Sequence, residues 1–225
     1  MFEALFWIFA VPAVVASLES LRAGRRHLRA VVAGMAASDD WTPPVTLIAP
    51  VKGLEEALVE NLSSLIEQDY PDFELLIAVR DPDDPAVATV AGLLGERARL
   101  VVAGPGLATT GEKINNLLAA VAAARPSSQV LAFADSDGRV EPRWLRGLVA
   151  ALGDPAVGAV TGYRWYFPEQ GRPWSLLRSV WNSTIGGAFG AGRPRFAWGG
   201  AMAIRRKTFD SARVADYWRG SVSDD

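Results

Sequence analysis

QVLAFADSDGRV, residues Gln129–Val140, runs apolar from Val130 to Ala134, then ends on Asp135 with a second aspartate at Asp137. An unbroken apolar run of that length has no polar face, and so fits a strand covered on both sides. Strands of that kind belong to parallel sheets, whose ligands bind beyond the carboxyl ends of the strands. The two aspartates therefore stand on the binding edge. Alternate residues of an extended chain point the same way, and a turn over Ser136–Gly138 can converge both carboxylates on one cation. Elsewhere an Asp-X-Asp is most simply a turn leading into a helix, here the one expected from Glu141. The end of a buried strand favours the cation instead. Magnesium or manganese, held by one or two carboxylates and by substrate phosphates, fits a nucleotide-diphosphate ligand.

The rest of the chain supports a parallel sheet. VTLIAP (45–50), FELLIAV (73–79), ARLVVA (98–103) and VGAVTG (157–162) are further strand-like runs. Between them, helical spacing marks 55–68 (Leu58, Leu62, Leu65), 84–96, 112–124 and 141–152, the last with Pro142 near its first turn. Strand–helix alternation predicts an α/β domain with helices on both faces of the sheet. There is no internal repeat or low-complexity segment.

Composition narrows the chemistry. The 225 residues include 23 basic and 25 acidic side chains, for a net charge of −2, so nothing draws the chain toward nucleic acid. With no cysteine, disulfides and zinc–thiolate sites are excluded. His27 is the single histidine, which argues against a Ser–His–Asp triad and rules out a poly-histidine metal site. Any metal would have oxygen ligands.

At the N-terminus, ALFWIFAVPAVVASL (4–18) carries no charge, and Phe2–Leu21 reaches the length of a membrane span. Arg22, Arg25, Arg26 and Arg29 come directly after it. A cleaved signal peptide has its positive charge before the apolar run, not after it. The positive-inside rule then places the adjoining domain in the cytoplasm, and the alternative is a buried amphipathic helix. AASDDWTPP (36–44) reads as a linker. The expected organisation is an anchor over 1–21, a basic juxtamembrane segment and linker over 22–43, and a domain over 44–225.

The residues just past each strand supply the candidate site. Lys52 in PVKG (50–53) could face a phosphate, and Gly53 permits a tight turn. In RDPDDP (80–85), Asp81 is first off the strand and best placed for a ligand, while Asp84 or a neighbour caps the next helix. In GEKINNL (111–117), Lys113 sits in a first helical turn, where the macrodipole disfavours a cation, and Asn115 and Asn116 are indifferent helix formers. Residues set against local propensity point to a site. Tyr163, Trp165, Tyr166, Phe167, Trp174 and Trp198 could stack on sugars or cover an interface, and 174–192 could form an amphipathic helix near a membrane. The chain reaches Asp225 through SVSDD, with Asp224 and Asp225 side by side.

Taken in order, PVKG, DYP, DPDDPA, KINNL, DSD, GGAMAIRR and the acidic pair resemble the family 2-like GT-A glycosyltransferases over residues 45–225. The resemblance is greatest to the ceramide glucosyltransferase group and its bacterial relatives of hopanoid lipid biosynthesis. It implies a GT-A, Rossmann-like, mostly parallel sheet behind an N-terminal membrane helix. It also implies an inverting, metal-dependent transfer of a sugar from a UDP-sugar to a membrane lipid hydroxyl, on the cytoplasmic face of a membrane, bacterial inner membrane by this likeness. Asp81 matches the aspartate expected at the uracil or ribose. Asp135 and Asp137 match the metal and diphosphate pair, and Lys113 a donor-site lysine. Asp225 matches the catalytic base, with Asp224 its neighbour. The family pattern continues past the acidic pair into a Gln/Arg-X-X-Arg-Trp motif, so the expectation is of a C-terminally incomplete domain. Two other readings stand beside this one: a polysaccharide synthase-like transferase, and a non-catalytic membrane-anchored nucleotide-binding fragment.

Overall fold

The structure, a computed structural model, describes residues 2–35, 40–164, 166, 168, 171–186 and 197–224. Six strands are present: β1 (Val45–Pro50), β2 (Phe73–Val79), β3 (Ala98–Val102), β4 (Val130–Ala134), β5 (Ala159–Thr161) and β6 (Ala201–Arg205). The helices are α1 (Phe2–Met35), α2 (Leu58–Ile66), α3 (Pro85–Val90), α4 (Glu112–Ala123), α5 (Trp144–Ala150), α6 (Pro173–Gly186), α7 (Arg206–Ser211) and α8 (Val214–Trp218). Two compact units result, one formed by Met1–Ala37 with Trp165–Phe196, the other by Ser38–Arg164 with Ala197–Asp225.

In the first unit the apolar run and the basic stretch form one continuous helix, α1. A lone Gly24 costs a helix only about 1 kcal/mol, and the surrounding Ala, Leu and Arg favour it. Nothing therefore breaks the chain near residue 21, where the anchor was expected to end. Residues 36–39 of the expected linker lie outside the described residues. Among the described residues, Leu5–Arg26 of α1 is the one helical stretch long and apolar enough to cross a membrane, with a mean hydropathy of 1.5. α6 begins on Pro173, whose missing N–H costs nothing at a first helical position. Trp174, Leu177 and Trp181 of α6 are exposed. Trp165, Phe167 and residues 187–192, which the sequence reading had assigned to an aromatic surface and to this helix, lie outside the described residues.

In the second unit all six strands join one sheet in the order β3-β2-β1-β4-β6-β5. β1 pairs in parallel with β2 and β4, and β2 with β3, with Val45 opposite both Phe73 and Val130. β6 runs antiparallel to β4 and to β5. The mostly parallel sheet expected from the sequence is present, with a strand at AMAIR that the sequence reading had not found. The run is short and sits behind two glycines, and nothing in a single sequence gives pairing direction. Helix 84–96 is also shorter than expected. α3 stops at Val90 and gives way to a 3₁₀ turn over Ala91–Leu93, in a stretch where Gly92 and Gly95 disfavour helix.

Strand residues alternate between two cores, as period two requires. Leu47, Ala49, Leu75 and Ile77 pack with α2, α3 and α5 on one face. Ile48, Leu76, Leu131 and Phe133 pack with α4, α7 and α8 on the other. Every residue of β2 and β4 is buried, which accounts for the apolar runs over 75–79 and 130–134.

At the amino edge of the sheet lies a closed polar knot. Thr46 Oγ1 donates to Glu74 Oε1 at 2.7 Å and shares a 2.6 Å bond with Ser128 Oγ. Glu74 also accepts from the Arg125 amide at 2.8 Å and from Arg99 Nη2 at 2.7 Å. Burial pushes the Glu74 pKa up, but these donors outweigh it and hold the carboxyl below its usual range.

Candidate active site

The opposite, carboxyl edge holds the Asp135–Ser136–Asp137 turn directly after β4. The turn is fixed from beneath. Ser136 Oγ donates to Glu55 Oε2 at 2.6 Å, and the buried Asn61 donates through Nδ2 to the Ser136 carbonyl at 3.1 Å. The Asp135 amide donates to the Gly200 carbonyl at 3.1 Å. With the backbone held this way, both carboxylates reach the mouth of the sheet, with 25% of the Asp135 side chain and 52% of the Asp137 side chain exposed. A Cβ at Gly200 would lie 2.5 Å from Asp135 Oδ2, so only glycine leaves the carboxylate its place.

Lys113 joins this turn to the acidic pair. α4 begins at Glu112, with Gly111 as an N-cap that lacks a side-chain hydrogen bond. Lys113 Nζ lies 2.9 Å from Asp135 Oδ1 and 2.9 Å from Asp224 Oδ1. Burial draws the lysine pKa down, and the two carboxylates outweigh that, leaving it above its usual value. The amine thus stays charged, and the two ion pairs explain a cation at the positive end of a helix.

Asp224 is held by the chain that leads to it. Trp218 is buried edge-on against Phe133 and Phe209, with both ring centroids at 5.5 Å. Beyond it, the Gly111 amide donates to the Ser221 carbonyl at 2.8 Å, and the Gly220 amide donates to Thr110 Oγ1 at 3.0 Å. A Cβ on Gly111 would come within 2.7 Å of the Val222 carbonyl oxygen, so this strip lies flat on the start of α4. The Asp224 side chain ends 5% exposed, with Oδ2 against the position a Gly199 side chain would take. Asp225 lies outside the described residues.

Arg164, just past β5, closes the group. Its Nη2 lies 2.9 Å from Asp135 Oδ2 and 2.6 Å from Asp137 Oδ1, and Nη1 donates to Asp137 Oδ2 at 3.0 Å. One nitrogen therefore touches an oxygen of each aspartate.

A cleft of about 350 Å³ opens over these residues, lined in part by Lys52, Glu112, Lys113, Asn116, Asp135 and Asp137. Lys52, expected at a phosphate, lines it and pairs with Glu112 Oε2 at 3.4 Å, where Arg80 also arrives at 3.2 Å. Asp81 is exposed in the turn after β2, accepts from the Asp83 amide at 2.9 Å, and does not line this cleft. Asp84 caps α3 by accepting from the Ala86 amide at 2.8 Å and also accepts from the Gly53 amide at 3.0 Å. It thereby ties the PVKG turn, where Gly53 has φ +63°, to the next helix. Of the two asparagines in KINNL, Asn115 donates to the Gly104 carbonyl at 3.0 Å and serves the loop. Asn116 is buried and lines the cleft, and its Oδ1 has no hydrogen-bond partner among the described residues.

The structure thus brings Lys113, Asp135, Asp137 and Asp224 together and adds Arg164, Asn116, Gly199 and Gly200, which the sequence reading had not placed in the site. Arg164 carried a readable signal, because it lies just past a strand, as Lys52 and Asp135 do. The glycines carried none, since the carboxylates they accommodate are remote in sequence.

Among the described residues, no group of three or more His, Cys, Asp or Glu is arranged to hold a metal. The Asp-X-Asp oxygens nevertheless meet at one cationic nitrogen of Arg164. Two converging carboxylates fit an ion that takes its remaining ligands from phosphate and water.

Comparison with known proteins gives the family. The family model described as glycosyl transferase family 21 matches residues 5–212. Ceramide glucosyltransferase of Komagataella phaffii is 36% identical over 50 residues, 22% of this chain and 10% of that protein. Ceramide glucosyltransferase 1 of Caenorhabditis elegans is 31% identical over 91 residues, 39% of this chain and 19% of that protein. These alignments span at most 19% of the curated relatives' length. In fold, the chain is similar to mannosyltransferase PcManGT from Pyrobaculum calidifontis, solved in complex with GDP-Man and Mn2+. The TM-score is 0.55 at 19% identity, over 86% of this chain and 57% of that one. S. aureus TarS 1-349 gives a TM-score of 0.51 at 16% identity, over 76% and 49% of the two chains. The sheet is that of the GT-A fold.

Proposed function

The chain belongs to glycosyl transferase family 21, and from that premise we propose that it moves a sugar from a UDP-sugar to a hydroxyl of a membrane lipid, with inversion and with a divalent cation. The observation that carries this reading is Lys113 Nζ standing 2.9 Å from both Asp135 and Asp224. It joins the carboxyl end of β4, the start of α4 and Asp224.

Place and charge assign the roles. Asp135 and Asp137 hold the magnesium or manganese ion, which when bound neutralises the departing diphosphate. Lys113 stays cationic and keeps Asp135 and Asp224 from repelling each other. Lys52, at the rim, faces the phosphates, and Asp81, in the next loop, meets the uracil or ribose. Asp224, paired and nearly buried, fixes the strip that carries Asp225. The Asp225 carboxylate takes the proton from the acceptor hydroxyl. The hydroxyl oxygen bonds to the anomeric carbon as the bond from that carbon to the diphosphate breaks, and no covalent enzyme intermediate forms.

The lipid acceptor is supported by α1, whose exposed apolar stretch would anchor the protein, with its arginines toward the cytoplasmic side. The ceramide glucosyltransferase relatives favour a ceramide- or hopanoid-like hydroxyl. UDP released from UDP-sugars in lipid vesicles tests the reading. Asp135→Ala should lower release at least about a hundredfold, whereas equal release by both proteins refutes it.

A further inference from the structure

We propose that Arg164 and the divalent cation exchange places at the Asp135–Ser136–Asp137 turn, and that the displaced guanidinium then binds the donor's diphosphate. This rests on the reading of that turn as the donor's metal site. Arg164 Nη2 reaches Asp135 Oδ2 at 2.9 Å and Asp137 Oδ1 at 2.6 Å. An ion shared by the two carboxylates needs an oxygen from each, and the guanidinium nitrogen already stands on one from each. That nitrogen occupies the position an ion bridging these two oxygens would take, so entry of the ion there requires release of Arg164.

Charge gives the direction of the exchange. Asp135, Asp137 and Asp224 carry three negative charges against the two positive charges of Lys113 and Arg164, so a divalent ion in place of the guanidinium removes the remaining negative charge. Once the ion is in place, its charge repels the guanidinium from the turn. A diphosphate brings new negative charge to the same cleft, and a planar guanidinium binds phosphate oxygens in pairs. A separate observation points to a ligand in this cleft. Asn116, a residue 2% exposed, lines it, and its buried Oδ1 has no hydrogen-bond partner among the described residues. Arg164 is thus a donor-binding residue that occupies the turn until metal and nucleotide arrive.

The test is calorimetry on the full chain, with Mn2+ titrated first without nucleotide and UDP then titrated at saturating Mn2+. Arg164→Gln should bind Mn2+ about tenfold more tightly and UDP about tenfold more weakly than wild type. Opposite shifts distinguish exchange from general damage to the cleft. Arg164→Lys keeps the charge but loses the second nitrogen on Asp137, so its Mn2+ affinity should fall between the two. It decides the matter should the glutamine variant fail to fold. Unchanged or weaker Mn2+ binding, or unchanged UDP binding, overturns the exchange. Asp135→Asn separates the two levels. Mn2+ binding that survives this change removes the metal-site reading itself, while its loss beside a wild-type-like Arg164→Gln removes the exchange alone.

Discussion

The two edges of the sheet hold similar chemistry and use it differently. At the amino edge, Glu74 accepts from Thr46, Arg99 and the Arg125 amide. At the carboxyl edge, Asp135, Asp137 and Asp224 share Lys113 and Arg164, beside a cleft that Asn116 lines. In the first, the carboxylate is enclosed and satisfied by the protein, so its electrostatics serve stability. In the second, the side chains of Asp135 and Asp137 stay partly exposed and the cleft is open, so the same charges are available to a ligand. What separates a fastener from a site is whether the chain itself completes the bonding.

The comparison can be broken from either end. The largest effect is expected at Gly200. Gly200→Ala places a Cβ on Asp135 Oδ2 and forces that carboxylate aside. Misplacing a catalytic group by about 1 Å can cost roughly a hundredfold, so UDP release should fall on that order while the thermal midpoint holds. Glu74→Ala should do the reverse. It strands the Arg125 amide and leaves Thr46 with Ser128 alone, and should cost about 1–3 kcal/mol in denaturant unfolding, with UDP affinity unchanged. Lys113→Met should weaken UDP binding by about tenfold, because Asp135 and Asp224 then face each other without their shared cation.

A smaller effect, from pH, sharpens the contrast. Glu74 is held below its usual range, so its stabilisation is present above the ordinary glutamate pKa of about 4.3 and fades as pH falls through the lower folded value. The gap in thermal midpoint between wild type and Glu74→Ala should therefore close in acid. Lys113 is held above its usual value, so its contribution is complete below the ordinary lysine pKa of about 10.4 and fades only as pH rises through the higher folded value. The corresponding gap for Lys113→Met should persist through neutral pH and, on the basic side, close only in strong alkali.

The sequence disclosed the parts of this arrangement that local physics dictates. β1, β2 and β4 were legible because strands buried on both faces must be apolar throughout, and Asp135 and Asp137 because they end such a strand. Lys113 was legible because it opposes its helix. β6 was not, since five residues behind two glycines carry no clear period, and its direction is set by pairing with β4. Gly199 and Gly200 read as loop residues until Asp224 and Asp135 are seen against them. Asp81 stands in the turn after β2, near the place its position in the chain implied, while the capping role left open among its neighbours belongs to Asp84.

The central claim is that the carboxyl edge, and not the amino edge, binds the nucleotide. Calorimetric titration of UDP with Mn2+ into wild type, Asp135→Ala and Glu74→Ala tests it most directly. Binding should be present in wild type, lost in Asp135→Ala and retained in Glu74→Ala. Wild-type binding in Asp135→Ala, or its loss in a folded Glu74→Ala, would contradict the account.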